Sequence, residues 1–229
     1  MTNRLFVLCL FITLCFALSP SFNGEALAEE NDALFRVARL KYSGGGDWYS
    51  NPSSLHNLLR ELRKRTTVQT ARREAVVSLK DDRIFHYPFV YMTGHGNVRF
   101  NAEERERLSL YLASGGFLWA DDNYGMDASF RRELKATFPK SPLVELPIDH
   151  PIYSTVYPFP KGLPKIHVHH GGAPKGLGLF LNGRLVVYYT YNTDIGDGLE
   201  DPDVHRDSLE KREAAMKMAI NVVTYVLTH

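Results

Sequence analysis

Thiol chemistry is the first thing this chain lacks. Its two cysteines, Cys9 and Cys15, both lie in an N-terminal stretch that does not read as part of a fold. From Glu29 onward the sequence has no disulfide partner and no thiol nucleophile. An exported chain without disulfides must draw its stability from a packed core, and about 200 residues are enough for one α/β domain. A GxGxxG run and a P-loop lysine are also missing, which removes the usual signatures for nucleotide phosphates. Like charges form no long block and the formal net charge is +1, so nucleic acid is not an expected partner. The locally basic stretch Arg60 to Arg65 reads as a solvated helix face. Internal repeats, low-complexity tracts and linkers are absent from the sequence, which implies a single domain.

The one long apolar run is N-terminal. Arg4 precedes an apolar segment from Leu5 to Leu18, and Ala26-Leu27-Ala28 supplies a small-x-small cleavage site. This pattern reads as a secretory signal peptide over residues 1–28, cut after Ala28. The run is too short for a stable membrane span, so the expected mature protein is periplasmic or secreted, covers residues 29–229 and spans no membrane.

What remains alternates between strand-like and helix-like segments. Phe35 to Ser43 alternates apolar and polar residues as a strand does. Leu55, Leu58, Leu59 and Leu62 are spaced for one helix face after Pro52 and its serines. Short strands are expected at Ala75–Leu79, Phe89–Met92 and Phe117–Ala120. Between the last two, Asn101 and Glu104 have capping-box spacing for a helix that Gly115-Gly116 stops. A helix follows around Ser129 to Phe138. "KIHVHH" reads as a further strand. "LGLFLNGRLVVYYT" reads as a hairpin turning on Asn182-Gly183, and Asp207 to Leu227 as a closing amphipathic helix. Strands alternating with helices of this length argue for a mostly parallel sheet covered on both faces.

Five stretches, "KYSGGGDWY", "TGHGNVRF", "GGFLWADD", "DHPIYS" and "TDIGDGLEDPDVHRD", resemble the DUF4159 family and cover most of the chain after Glu29. The order of strand, Gly-His loop, acid-rich helix, Gly-Gly and buried strand is also similar to the class I glutamine amidotransferase-like fold and its trehalose-utilisation-type branch. That resemblance implies an α/β, flavodoxin-like three-layer sandwich with ligands beyond the carboxyl ends of the strands. In amidotransferases of this fold a cysteine follows the strand equivalent to Phe117–Ala120. Here Asp121, Asp122 and Asn123 stand there, and thiolate glutaminase chemistry is excluded because the reacting atom is missing.

The candidate site residues follow from those strand ends. Asp121 and Asp122 continue an apolar strand, so their side chains point to opposite faces. Each either faces a pocket as a catalytic carboxylate or caps a helix and ties a loop. His95, between two glycines, either acts as base, acid or ligand or holds its loop through the ring. Gly45, Asp47, Trp48 and Tyr49 in "GGGDWY", together with Gly94 and Asn123, are expected to line a ligand site. Three glycines suit a backbone wrapping an anion or sugar, and the aromatic pair either stacks on a sugar ring or packs the loop down. Asp194, Asp197 and His205 offer hard oxygens and an imidazole to a divalent metal, although EF-hand spacing fails. The alternative is a surface loop whose aspartates make their own turns. His167 and His169 would share one strand face, a geometry able to chelate zinc, but no recognised motif is completed around them. His150 and Arg206 are candidates for the cleft wall and for gripping an anion. Three functions follow: binding of a small-molecule or carbohydrate ligand, hydrolysis by Asp and His with or without a metal, or docking to an envelope protein.

Overall fold

The protein is described by a computed structural model covering residues 34–169 and 171–229. The expected signal segment, its cut after Ala28, and His170 lie outside the described residues. In chain order the elements are β1 (Ala38–Leu40), α1 (Ser54–Arg65), β2 (Ala75–Val77), β3 (Phe89–His95), α2 (Ala102–Ala113), β4 (Phe117–Tyr124), α3 (Asp127–Thr137), β5 (Val144–Glu145), β6 (Lys175–Leu181), β7 (Arg184–Tyr191), α4 (Ile195–Leu199) and α5 (Leu209–Thr228). Single 3₁₀ turns occupy Asp82–His86 and Pro151–Tyr153.

The strands form one seven-stranded sheet in the order β2-β1-β3-β4-β7-β6-β5. The first five positions are parallel, while β6 runs antiparallel to β7 and β5 antiparallel to β6. The two central strands carry apolar runs because both of their faces are covered. Phe89, Tyr91, Phe117 and Trp119 pack with the α1 leucines Leu55, Leu58, Leu59 and Leu62 and with the α5 stretch Ala215 to Val223. On the other face Val90, Met92, Leu118 and Ala120 pack with Leu108, Tyr111 and Leu112 of α2 and with Phe130 and Leu134 of α3. The result is an α/β fold with helices on both sides of a mostly parallel sheet, compatible with a flavodoxin-like sandwich.

Local chemistry fixes the element ends. Asn101 accepts from the Glu104 N–H at 2.9 Å while the Glu104 carboxylate accepts from the Asn101 N–H at 2.8 Å, a complete capping box opening α2. The β6–β7 hairpin turns on Asn182 and Gly183 at φ 51° and 80°, both left-handed as a two-residue type I′ turn requires. α1 is opened from a distance. The Glu200 carboxylate accepts from the N–H groups of Ser53 and Ser54 at 2.8 and 3.0 Å.

Two strand expectations change. The first strand is continuous only over Ala38–Leu40: Phe35 makes an isolated parallel bridge to Thr70, and Ser43 leaves the ladder to bridge Arg99. "KIHVHH" is not a strand. The N–H groups of Ile166 and His167 both donate to the Thr193 carbonyl, so this segment runs beside the turn after β7 and joins no ladder.

Candidate functional site

The carboxyl ends of β3, β4 and β7 lie side by side, and β4 continues past its apolar run to Tyr124. Strand alternation then separates its acids. Asp121 and Asn123 continue the face of Phe117 and Trp119, whereas Asp122 continues that of Leu118 and Ala120. Asp121 is fully buried. It accepts from the N–H groups of Ile195 (3.3 Å) and Gly196 (2.6 Å), from the Thr190 hydroxyl, and from the Tyr91 hydroxyl at 3.4 Å. Burial pushes its pKa up to about 7, partly offset by those donors. Its contacts hold the start of α4 against the sheet. Asp122 accepts from the Met126 N–H at 3.2 Å, just before α3. The two carboxylates therefore do not converge on one point.

Asn123 is the hub beneath the rim. Its oxygen accepts from the Thr93 hydroxyl at 2.7 Å, and its amide donates to Asn51 Oδ1 at 3.2 Å and to Asp197 Oδ1 at 3.4 Å. Above it stands a cluster of imidazoles and carboxylates. His167 Nδ1 lies 2.8 Å from Asp197 Oδ2 and 3.8 Å from Asp194 Oδ2, and its Nε2 lies 2.8 Å from Asp207 Oδ2. His169 Nε2 contacts Asp194 Oδ2, and His205 Nε2 stands 3.6 Å from Asp197 Oδ1. Asp197 raises the His167 pKa above the ordinary imidazole value against partial burial, and Asp207 adds to the rise. Burial works to raise Asp197, but His167, His205 and Asn51 outweigh it and hold the carboxyl below the usual range. Asp194 is pushed up to about 10 by burial and by the neighbouring carboxylates Asp121, Asp197 and Asp122, with Lys165 opposing. It sits at φ 61°, a left-handed conformation that a non-glycine residue adopts at a cost.

The Gly-His turn adjoins this cluster. His95 Nδ1 lies 3.0 Å from Asp47 Oδ2, and the His95 N–H donates to the same carboxylate. Nδ1 is engaged by Asp47, and the ring is half-exposed. In register His95 pairs with Tyr124, whose ring centroid is 5.0 Å from that of His169. The glycine run explains how the loop after β1 reaches His95. A Cβ on Gly44 would stand 2.6 Å from the Asn97 carbonyl oxygen, and one on Gly46 would stand 2.8 Å from that of His95. The loops pack backbone to backbone, with the Gly46 N–H donating to Asn97 O at 3.0 Å.

A family profile described as "Domain of unknown function (DUF4159)" matches residues 36–227. The chain belongs to the DUF4159 family. The matched span of this DUF4159 domain contains the whole rim, from Asp47 to Asp207. A comparison with curated proteins finds no match.

Within the DUF4159 domain the structure thus brings together Asp47, Gly94, His95, Asn123, Asp194, Asp197 and His205. Trp48 packs its loop, with Lys41 Nζ over its ring at 5.4 Å, while Tyr49 is exposed and Gly45 is open to solvent. Arg206 sits at φ 57° in the loop between His205 and Asp207 and is exposed. His150 is elsewhere. Its ring packs on Phe180 and Tyr225, and Phe180 pairs with Leu185 at the start of β7, the end of the sheet opposite the rim. Sequence reasoning gave no role to Asn51, Thr93 or Asp207. Thr93 and Asp207 lie at the edges of "TGHGNVRF" and "TDIGDGLEDPDVHRD" without a role of their own, Asn51 lies in the loop before α1, and Asp207 also reads as the first residue of the closing helix. A depression lined by Arg105, Glu106, Ser109, Leu110, Ala113, Ala136 and Thr137 shares no residue with this cluster.

Proposed function

We propose that the protein is exported, loses residues 1–28, and binds a small polar ligand at this rim on a class I glutamine amidotransferase-like scaffold that has no thiol. Export is supported by Arg4, the apolar run Leu5 to Leu18 and the Ala26-Leu27-Ala28 site. The scaffold reading is supported by the parallel order β2-β1-β3-β4-β7, the arrangement in which open α/β sheets bind ligands beyond their carboxyl ends. The observation that carries the function is that carboxylate-held imidazoles from loops far apart in sequence line one edge: His95 on Asp47, His167 on Asp197 and Asp207, and His169 on Asp194. Such groups suit hydroxyl-rich ligands, and the exposed rings of Tyr49 and Tyr124 offer faces for the apolar side of a sugar. A hydrolytic version is favoured by His95 alone, because a half-exposed imidazole held through Nδ1 by a carboxylate has the form of an oriented general base.

Two experiments test this. Fusing residues 1–40 to a reporter active only outside the cytoplasm should give activity and a mature N-terminus at Glu29; a silent fusion would end the export reading. A thermal-shift screen of sugars and small polar metabolites should find a stabilising ligand whose effect disappears in His95→Ala and Tyr124→Ala. Stabilisation that survives both changes would move the binding site away from this rim.

A further inference from the structure

Three imidazoles and three carboxylates meet around His167, and the way they meet is that of a cation site. One ligand atom from each of His167, His169 and Asp194 lies within 4.8 Å of the others, and the same holds for a second group, His167, Asp197 and His205, that shares His167. A tetrahedral ion with bonds of about 2.0–2.2 Å sets its ligand atoms roughly 3.3–3.6 Å apart. His167 Nδ1 is 3.8 Å from Asp194 Oδ2, so a shift below about 1 Å brings this pair to tetrahedral ligand spacing.

A second, independent observation points the same way. Asp194 has no side-chain exposure, and its Oδ1 accepts no hydrogen bond among the described residues. A buried carboxylate with one oxygen unpaired is costly as an anion, and a cation bound at Oδ2, the oxygen that faces His167 and His169, would offset that charge. Outer contacts are also in place. His167 presents Nδ1 to the cluster while Nε2 is held by Asp207, the arrangement in which a carboxylate fixes the ring of a metal-bound histidine. Asp197 turns Oδ2 toward His167 and has Oδ1 near His205 and Asn123, which hold it beside that ring.

We infer that His167, His169 and Asp194 bind one divalent transition-metal ion of the zinc class and leave a fourth position to solvent, with Asp197 and Asp207 positioning His167 from outside the coordination shell. Two imidazole ligands select this class over calcium or magnesium, which prefer all-oxygen shells. Val168, between the two histidines, is three-quarters exposed, so the ion would lie near solvent at the same rim. The inference rests on the ligand-site reading for what the ion acts upon, but not for its binding.

The test uses the mature protein and metal salts alone, so its outcome is separate from that of the ligand screen. Elemental analysis and calorimetric titration should show one equivalent of zinc. Cobalt substitution should give the visible absorption of a four-coordinate nitrogen–oxygen site. His167→Ala and His169→Ala should abolish stoichiometric binding, and Asp207→Asn should weaken it about 10–100-fold. His150→Ala, at the far end of the sheet, should leave it unchanged. Circular dichroism on each variant separates lost binding from lost folding, and the half-exposed His169 is the site where substitution least threatens the fold. A folded wild-type protein that takes up no zinc, cobalt or manganese overturns the inference. So does zinc binding that persists in both histidine variants.

Discussion

Asp121 and Asp122 are consecutive residues of one strand, and their carboxylates serve opposite faces of the sheet. Asp121 holds the turn after β7 through the N–H groups of Ile195 and Gly196, and Asp122 meets the Met126 N–H ahead of α3. Both acids tie the carboxyl end of β4 to a helix start, Asp121 to α4 and Asp122 to the turn before α3, which leaves the rim to the imidazoles and to Asp47, Asp194 and Asp197.

Removing the Asp121 carboxylate should therefore cost stability. Asp121→Ala orphans the buried N–H groups of Ile195 and Gly196, while the Thr190 hydroxyl keeps the Ala120 carbonyl at 3.2 Å. A loss of about 2–4 kcal/mol is expected in urea unfolding. A loss below about 0.5 kcal/mol would show that water replaces the carboxylate without penalty.

Gly196 should tolerate no side chain. An added Cβ would meet Asn51 Nδ2 and would stand 2.6 Å from the Tyr91 hydroxyl and 3.2 Å from Asp121 Oδ2. Gly196→Ala should lower stability by more than about 2 kcal/mol and disturb the rim. Gly183→Ala is the control. Its φ is 80° but its surroundings are open, so only the left-handed backbone penalty of about 1–2 kcal/mol applies.

Acid stability should depend on Glu61. Burial works against its charge, but Lys64, Arg65 and Arg60, at 3.0, 2.9 and 3.3 Å, overcome this and hold its pKa at about 2. The folded value is below the unfolded value of 4.5. Its contribution is thus fully present above pH 4.5 and is lost as pH falls toward 2. Thermal unfolding of Glu61→Gln should be flatter than wild type across that window and parallel to it from pH 6 to 8. Parallel curves throughout would remove Glu61 as an acid-sensitive group.

The capping box of α2 should be measurable as a local term. Asn101→Ala removes the acceptor for the Glu104 N–H and should cost about 1 kcal/mol in chemical denaturation, with the rim unaffected. An equal cost in the thermal response to zinc would show that α2 and the rim are coupled.

Much of the fold was legible along the chain. The leucine spacing of α1, the capping box at Asn101 and the Asn182-Gly183 turn are local signals, read from apolar periodicity, capping hydrogen bonds and backbone conformation over a few residues. The site was legible in part. The strand-end rule pointed to His95, Asp121, Asp122 and Asn123, the acid-rich stretch after the hairpin pointed to Asp194, Asp197 and His205, and the resemblance pointed to the family. "HVHH" suggested a same-face pair by strand alternation, and its histidines do stand together, but through an irregular segment tied to Thr193. His150 looked equally polar and equally loop-like, and it sits at the other end of the sheet.

The sequence by itself determined the alternation of strands and helices, their caps and turns, the lack of a thiol in the folded domain, and which polar residues sit at strand ends. These depend on contacts between residues a few positions apart. The tertiary structure alone decided which of them meet. His167 reaches Asp197 and Asp207 because β7 inserts beside β4 and carries the following turn to the rim, and because the segment before β6 lies along that turn. That strand order is set by burial of both sheet faces at once, a collective energy that no short stretch of the chain encodes.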